Sequence, residues 1–150
     1  MGLDMYLTGK RYIWDKENEE SSALQEVSEQ FGNGKLIKKI ELELGYWRKA
    51  NAIHKWFVDN VQEGTDNCAD YFVGYSSLVK LKDVCRSVLD NGEEFAETHL
   101  PPESGFFFGS TDVDEYYWQY VKDTYELMCN LCDDADIQSG KIDVYYQSSW

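Results

Sequence analysis

The segment from Ile40 to Val61 constrains this chain most, because its apolar residues change period without a gap. Between positions 40 and 46 they alternate with glutamate or glycine, which predicts a strand with one buried face (Ile40, Leu42, Leu44, Tyr46). From position 50 they recur at the 3.6-residue period of a helix (Ala50, Ile53, Phe57, Val61). A strand that leads directly into a helix indicates a fold with both a sheet and a helical layer.

The same segment collects residue types that can bind small anions. We expect the helix to begin near Arg48, so that Arg48, Asn51 and Lys55 share one face and Asn51 lies between them and His54. The candidate ligand-binding residues of this segment are Trp47, Arg48, Lys49, Asn51, His54 and Lys55. An ordinary amphipathic helix with a partly buried, hydrogen-bonded histidine explains the same pattern without a ligand.

Three further extended segments are indicated by apolar alternation. Leu3, Met5 and Leu7 predict a first strand, which Tyr12 to Trp14 can continue beyond Gly9. A short extended segment is expected from Tyr71 to Tyr75, and a last strand over Ile142 to Tyr146. Residues 93–104 contain both prolines, Pro101 and Pro102, and are expected to form an acidic loop in which Leu100 to Pro102 is extended.

Helical spacing appears in three other places. Leu24, Val27 and Phe31 predict a short helix or an acidic loop. A longer helix should begin at Ser76 or Ser77 and end at Asn91, and another should follow Asp112 as its N-cap, with Glu115 at N3, and run to about Leu131. Residues 1–150 are therefore predicted to form a single α+β domain, with a small, mostly antiparallel sheet covered by three or four helices.

Charge and composition limit the classes of partner. The net charge of −14 opposes direct binding to nucleic acid, although nine of the 14 basic residues lie between Lys35 and Arg86 and could form a local positive patch. No run is long and apolar enough to span a bilayer, and the first residues lack the pattern of a signal peptide. We therefore expect a cytoplasmic protein without a membrane partner, with its four cysteines reduced.

Three adjacent aromatic residues, Phe106, Phe107 and Phe108, lie between Gly105 and Gly109. Because such a segment is too short for a helix, its rings should point in different directions, and at least one should be exposed or line a cavity. Stacking on a ligand and simple packing both explain the rings. A phosphate-binding role for the glycines is disfavoured, since acidic residues (Asp112, Asp114, Glu115) occupy the start of the next helix.

A catalytic alternative uses His54 and Cys68 as base and nucleophile, with Asp66 or Asp70 orienting the imidazole. A buried, inert Cys68 is the competing interpretation. Cys129 and Cys132 form a C-x-x-C pattern, but it falls late in a predicted helix and no second pair accompanies it. We predict no bound metal and no cofactor.

Three blocks of this sequence resemble a family of small proteins encoded by tailed bacteriophages and prophages. The blocks are Met1–Leu7 (MGLDMYL), Gly45–His54 (GYWRKANAIH) and Gly105–Ser110 (GFFFGS), and the intervening region from Cys68 to Leu81 resembles the family as well. The resemblance implies a viral protein in the host cytoplasm and supplies no catalytic residues. In that setting, a small protein with aromatic and cationic residues could sequester a nucleotide signal used in host defence.

We therefore consider three alternative functions, in decreasing order of preference. The first is binding of a small anionic, nucleotide-like molecule, with charge from Arg48, Lys49 and Lys55, hydrogen bonds from Asn51 and His54, and stacking by Trp47 or the phenylalanines. The second is a small enzyme with His54 as general acid or base. The third is an acidic protein that binds and inhibits a host protein. A homo-oligomer is compatible with all three.

Overall fold

The alternating segments of the sequence form one antiparallel sheet. The computed structural model describes residues 2–32 and 34–150, and its strands are β1 (Asp4–Tyr12), β2 (Lys39–Arg48), β3 (Tyr71–Val73) and β4 (Asp143–Ser149). Their order across the sheet is β2-β1-β4-β3, and every neighbouring pair is antiparallel. The first strand of the chain therefore lies in the interior of the sheet, and β2 forms one edge.

Seven helices accompany the sheet in the described residues. They are α1 (Asp15–Glu20), α2 (Ser22–Glu29), α3 (Asn51–Asn60), α4 (Tyr75–Asn91), α5 (Glu93–His99), α6 (Glu115–Cys132) and α7 (Ala135–Gln138). The buried core takes most of its helical residues from α3, α4 and α6. The predicted α+β fold with a small antiparallel sheet is confirmed. None of the helices described is both long and apolar enough to cross a membrane.

The core lies on one face of the sheet. In β1, Met5 and Leu7 are fully buried, whereas Tyr6 between them is 36% exposed. This difference follows from the alternation of side chains along a strand. The opposite face, which we call the open face, carries exposed aromatic side chains from several strands (Tyr6, Tyr46, Phe72).

Two corrections concern the region before and within α3. Arg48 is the last residue of β2, and α3 begins only at Asn51, so the expected helical face shared by Arg48, Asn51 and Lys55 is wrong. Lys49 adopts a left-handed backbone conformation with φ of 56°, and Ala50 is the N-cap, although its side chain makes no capping hydrogen bond. The chain turns sharply at Lys49, and this turn separates the side chain of Arg48 from the helix.

Three other boundaries differ from expectation. The stretch after Gly92, predicted as an acidic loop, forms α5, and Leu100 is its C-cap immediately before the two prolines. The N-cap of α6 is Asp114, whose Oδ1 accepts a hydrogen bond from the Tyr117 N–H at 2.9 Å, and not Asp112. The helix α4 begins at Tyr75, one residue before the predicted serines, with Gly74 as its N-cap.

Candidate functional site

The three blocks of sequence singled out above meet at one end of the sheet. The backbone N–H of Leu3 donates to the carbonyl of Phe107 at 3.4 Å, and the N–H of Lys49 donates to the carbonyl of Leu3 at 2.7 Å. The beginning of the chain, the end of β2 and the phenylalanine loop are therefore joined through their backbones. Residues far apart in sequence form one local surface here.

The side chain of Asn51 fixes the phenylalanine loop from beneath. Its Nδ2 donates to the carbonyls of Phe108 (3.1 Å) and Ser110 (2.9 Å), and its Oδ1 accepts from the N–H of Glu103 (3.1 Å). The residue is 1% exposed. Since these three bonds use both donor hydrogens and an acceptor site of the amide, Asn51 positions the loop and is not available to a ligand.

Two cationic side chains converge over Gly2. A Cβ built on Gly2 would lie 3.4 Å from Cε of Lys49 and 3.8 Å from Nη2 of Arg48. Gly2 is buried and lies two residues before Asp4, the first residue of β1. The absence of a side chain at position 2 therefore leaves room for both cations to lie close together. We call Gly2, Arg48, Lys49, Phe106 and Phe107 the Gly2 site.

These cations have little compensation from carboxylates. Arg48 has an exposed side chain (58%), and its Nε reaches Oδ1 of Asp4 only at 4.0 Å. Among residues 2–32 and 34–150, Lys49 forms no ion pair. Lys55 differs, since it lies 3.3 Å from Asp59 and 3.2 Å from Glu103, and these two carboxylates raise its pKa, chiefly through the bond to Glu103. In a chain of net charge −14, two adjacent, weakly compensated cations form a local positive patch.

The three phenylalanines of the loop have different environments. Phe106 is 83% exposed and Phe107 is 41% exposed, and their rings meet edge to face with centroids 4.4 Å apart. Phe108 is buried, with its ring 5.2 Å from that of His54 and 6.2 Å from that of Trp150. Phe108 therefore anchors the loop in the protein, whereas the other two rings are exposed on a loop whose Gly109 lies against the side chain of Lys49.

A groove of about 300 Å³ runs beside the site, between the end of β2 and the face of α6 from Tyr116 to Leu127. Arg48, Tyr46 and Tyr116 contribute to its lining, and the Tyr116 hydroxyl donates a hydrogen bond to the backbone carbonyl of Arg48. The helix α6 approaches β2 closely here, because a Cβ on Gly45 would lie 2.5 Å from Cδ2 of Leu127. Only glycine fits at position 45 without moving Leu127.

His54 lies below the phenylalanine loop and is fully engaged inside the protein. It is 1% exposed, its Nδ1 lies 2.7 Å from the hydroxyl of Tyr146, and its Nε2 lies 2.9 Å from Oδ2 of Asp66. The other carboxylate oxygen of Asp66 accepts from Nε1 of Trp150 at 3.1 Å. Burial raises the pKa of Tyr146 well above its usual range, so this hydroxyl stays protonated.

The predicted pairing of His54 with Cys68 is not formed. Both imidazole nitrogens already have partners, and Cys68 contacts β4 through its backbone, where its carbonyl accepts from Nε2 of Gln147 at 3.2 Å. Of the two candidate orienting carboxylates, Asp66 contacts the imidazole, whereas Asp70 pairs with Lys10. His54 therefore links α3 to β4 and to the chain after α3.

Trp47 is also part of the core rather than the surface. It is 6% exposed, and its indole Nε1 donates to Oγ1 of Thr124 in α6 at 2.8 Å. Its ring cannot stack on a ligand in this arrangement. The predicted binding residues thus fall into an accessible set at the Gly2 site (Arg48, Lys49, Phe106, Phe107), a buried set (Trp47, Asn51, His54, Phe108), and Lys55, which is paired elsewhere.

Gly2, Tyr46 and Tyr116 were not among the predicted binding residues. The alternation of the first strand could have indicated that Gly2, Asp4 and Tyr6 share one face, but the contact with Tyr116 depends on how α6 packs. Among the described residues, no three His, Cys, Asp or Glu side chains are grouped to hold a metal ion. No protein family, no curated protein and no solved structure was found to match this sequence.

Proposed function

We propose that this protein binds a small anionic, nucleotide-like molecule at the Gly2 site. The observation that carries the proposal is the convergence of Arg48 and Lys49 over Gly2, with one carboxylate at 4.0 Å as the only ion partner within the described residues. Two like charges that lie close together repel each other, and a bound anion removes that repulsion. In a strongly acidic protein, two such adjacent cations are suited to bind a negatively charged group.

The exposed groups of the site suit the parts of a nucleotide. The planar guanidinium of Arg48 can donate two parallel hydrogen bonds to a phosphate, and the ammonium of Lys49 adds a second, more compact charge. The exposed rings of Phe106 and Phe107 offer apolar faces on which a base can stack. Asn51 and Phe108 support this surface from within, which reduces the freedom that binding would have to remove.

A binding role is favoured over the catalytic alternative by the position of His54. The imidazole is buried beneath Phe108 and both of its nitrogens are engaged by Tyr146 and Asp66. A general acid or base must come within hydrogen-bond reach of its substrate. His54 would have to break one of these two bonds and become exposed before it could act.

The proposal is tested by native mass spectrometry of protein purified gently from the cells that produce it, followed by denaturation and identification of what is released. We expect a stoichiometric phosphorylated molecule from the wild type, and at least a tenfold lower occupancy for Arg48→Gln. The matched control is Lys80→Gln, which removes an exposed cation from α4 and makes the same change in net charge. Equal occupancy in Arg48→Gln and the wild type, or an empty wild type that binds no added nucleotide, would contradict the proposal.

The biological setting of this proposal comes from the resemblance to tailed-phage proteins. A phage protein in the host cytoplasm that binds a nucleotide without turning it over would act as a sponge for a host defence signal. Purification from phage-infected cells, in parallel with uninfected cells, tests this part. A ligand present only after infection would support a counter-defence role, and the same ligand in both would favour a housekeeping nucleotide.

A second candidate, binding of a basic host protein, is favoured by the surface of α2 and the residues after it. Val27, Phe31 and Leu36 are 46, 66 and 50% exposed, and the surrounding sequence is rich in glutamate. An apolar stripe with an acidic rim matches a hydrophobic groove bordered by lysine or arginine. A captured host protein that is lost with Val27→Glu and at high salt, but retained with Arg48→Gln, would support this candidate.

A further inference from the structure

A second aromatic pair lies on the open face of the sheet, next to the Gly2 site. Tyr6 and Tyr46 are register partners in β1 and β2, and their ring centroids are 5.5 Å apart. They are 36% and 48% exposed. Neither ring contributes to the buried core, and their position on a sheet face holds them more rigidly than a loop would.

Asp4 connects this tyrosine pair with the cations. Its Oδ1 accepts a hydrogen bond from the Tyr46 hydroxyl and lies 4.0 Å from Nε of Arg48. The hydrogen bond to Asp4 is the main reason that the pKa of Tyr46 is raised, so this hydroxyl stays protonated and the bond persists at neutral pH. Asp4 thus orients the tyrosine ring on one side of the guanidinium.

Arg48 consequently adjoins the tyrosine pair, and its neighbour Lys49 adjoins the phenylalanine loop. Tyr46 and Arg48 are two positions apart in β2 and point to the same face, which separates their Cα atoms by roughly 7 Å. On the other side, Lys49 packs along Gly109, where a Cβ would lie 3.3 Å from Cβ of Lys49, and the loop carries Phe106 and Phe107. The tyrosine pair and the loop that carries the phenylalanine pair are therefore connected through Arg48 and Lys49.

We infer that the ligand has two planar rings joined through an anionic group, as in a dinucleotide with a phosphodiester linkage. This inference rests on the proposed function and specifies its ligand class. The linking phosphate would lie at Arg48 and Lys49, with one base on Phe106 and Phe107 and the other on Tyr6 and Tyr46. A long nucleic acid is disfavoured as the occupant, because a chain of net charge −14 repels a phosphate backbone beyond the short positive patch.

The inference is tested by isothermal titration calorimetry with two sets of probes. The first set is the ribonucleoside 5′-diphosphates, and the second is the 5′-phosphorylated dinucleotides of the same bases, which have about the same charge. We expect the best dinucleotide to bind roughly tenfold more tightly than the best diphosphate, because stacking of a second base adds affinity. Equal affinities for the two sets would overturn the inference.

Variants of the tyrosine pair separate this inference from the proposed function. Tyr46→Ala should weaken dinucleotide binding roughly tenfold more than it weakens diphosphate binding, because only the dinucleotide has a second base to stack. Tyr46→Phe keeps the ring and also lacks the hydrogen bond to Asp4, so it controls for the loss of that bond and should retain most of the dinucleotide affinity. Phe72→Ala is the matched control, since Phe72 is 57% exposed on the open face but lies in β3, at the far edge of the sheet. If Arg48→Gln weakens both sets but Tyr46→Ala affects neither, only the two-ring inference fails. If neither set binds, both proposals fail.

Discussion

A single amide, that of Asn51, determines whether the loop can present its rings. Replacement of Asn51 by alanine removes one buried bond, to the carbonyl of Phe108, and two partly buried bonds, to the carbonyl of Ser110 and the N–H of Glu103. A buried polar group left without a partner costs about 1–3 kcal/mol, and the partly buried groups add less. We expect Asn51→Ala to lower the free energy of unfolding by about 3 kcal/mol, measured by urea denaturation.

The control for this prediction is Asn60→Ala. Asn60 is exposed at the end of α3, and its Nδ2 donates a single bond to the carbonyl of Trp56 at 2.9 Å. Loss of that bond should change stability by less than about 1 kcal/mol, because surface substitutions are usually mild. Similar effects of the two substitutions would show that Asn51 does not hold the loop as described.

Because a thiol and a phenol group are buried, we expect the protein to lose stability in alkaline solution. Burial raises the pKa of Cys85 from its ordinary 9.0 to about 12, and burial also raises the pKa of Tyr146. Above pH 9 the unfolded chain loses the Cys85 proton while the folded protein keeps it, so the unfolded state is favoured. The contribution of the protonated Cys85 thiol to the free energy of unfolding is thus complete below pH 9, and it decreases as the pH rises from 9 to about 12.

Urea denaturation at a series of pH values from neutral to alkaline measures this effect. Cys85→Ser removes the thiol, and although the variant should be less stable overall, its stability should fall less steeply above pH 9 than that of the wild type. A wild-type stability that is constant or increasing over the same interval would be inconsistent with protonated, buried groups.

Among the helices and strands, the sequence predicts the ones whose apolar residues recur at a regular period. Alternation locates β2, and the helical period locates α4 and α6 to within a few residues. The start of α3 is missed because Lys49, a non-glycine residue, takes the left-handed conformation, and no residue type marks that turn. The helix α5 is missed because acidic residues and two following prolines resemble a loop. Ala96 and Leu100 are buried by tertiary packing, with α5 against α4 and the Leu100 carbonyl accepting a hydrogen bond from the Tyr117 hydroxyl of α6.

The N-cap of α6 provides a direct test of an element boundary. Asp114→Ala removes the side chain that accepts from the Tyr117 N–H, and we expect a loss of about 1 kcal/mol in the free energy of unfolding. Asp112→Ala is the matched control, since it removes an aspartate two residues earlier and changes the net charge equally. Its effect should stay below about 0.5 kcal/mol. A larger effect at Asp112 than at Asp114, measured by thermal or urea unfolding, would place the cap at the residue expected from sequence.

At the scale of the whole molecule, the same charge that opposes nucleic acid binding also affects stability. A net charge of −14 produces self-repulsion in the folded state, and salt screens it with a Debye length of about 8 Å at physiological ionic strength. We expect the melting temperature to rise as sodium chloride is increased from low to molar concentration.

Ligand binding should respond to salt in the opposite direction. The attraction between Arg48, Lys49 and a phosphate is weakened by screening, whereas stacking on Phe106 and Phe107 is affected much less. Affinity for an added nucleotide should therefore fall moderately with salt while the protein becomes more stable. A melting temperature that decreases with salt, or an affinity that increases with it, would contradict this account of the charge distribution.

The site could be predicted from sequence only in part. Residue types in two segments drew attention to Arg48 and Lys49 and to Phe106 and Phe107, which belong to the Gly2 site. The same argument selected Trp47, Asn51 and His54, which are buried by contacts with residues 12 to 92 positions away. Local periodicity carries no information about such distant contacts, so exposure and burial at the site required the structure.

The most direct test of the central claim is an NMR titration of uniformly ¹⁵N-labelled protein with a nucleotide mixture. Ligand at the Gly2 site should shift the amide resonances of Leu3, Lys49, Phe107 and Gly109, with little change along α4, and Arg48→Gln should abolish these shifts. Resonances that remain in place at millimolar nucleotide, or shifts confined to other regions of the protein, would show that the convergence of Arg48 and Lys49 over Gly2 does not form an anion-binding site.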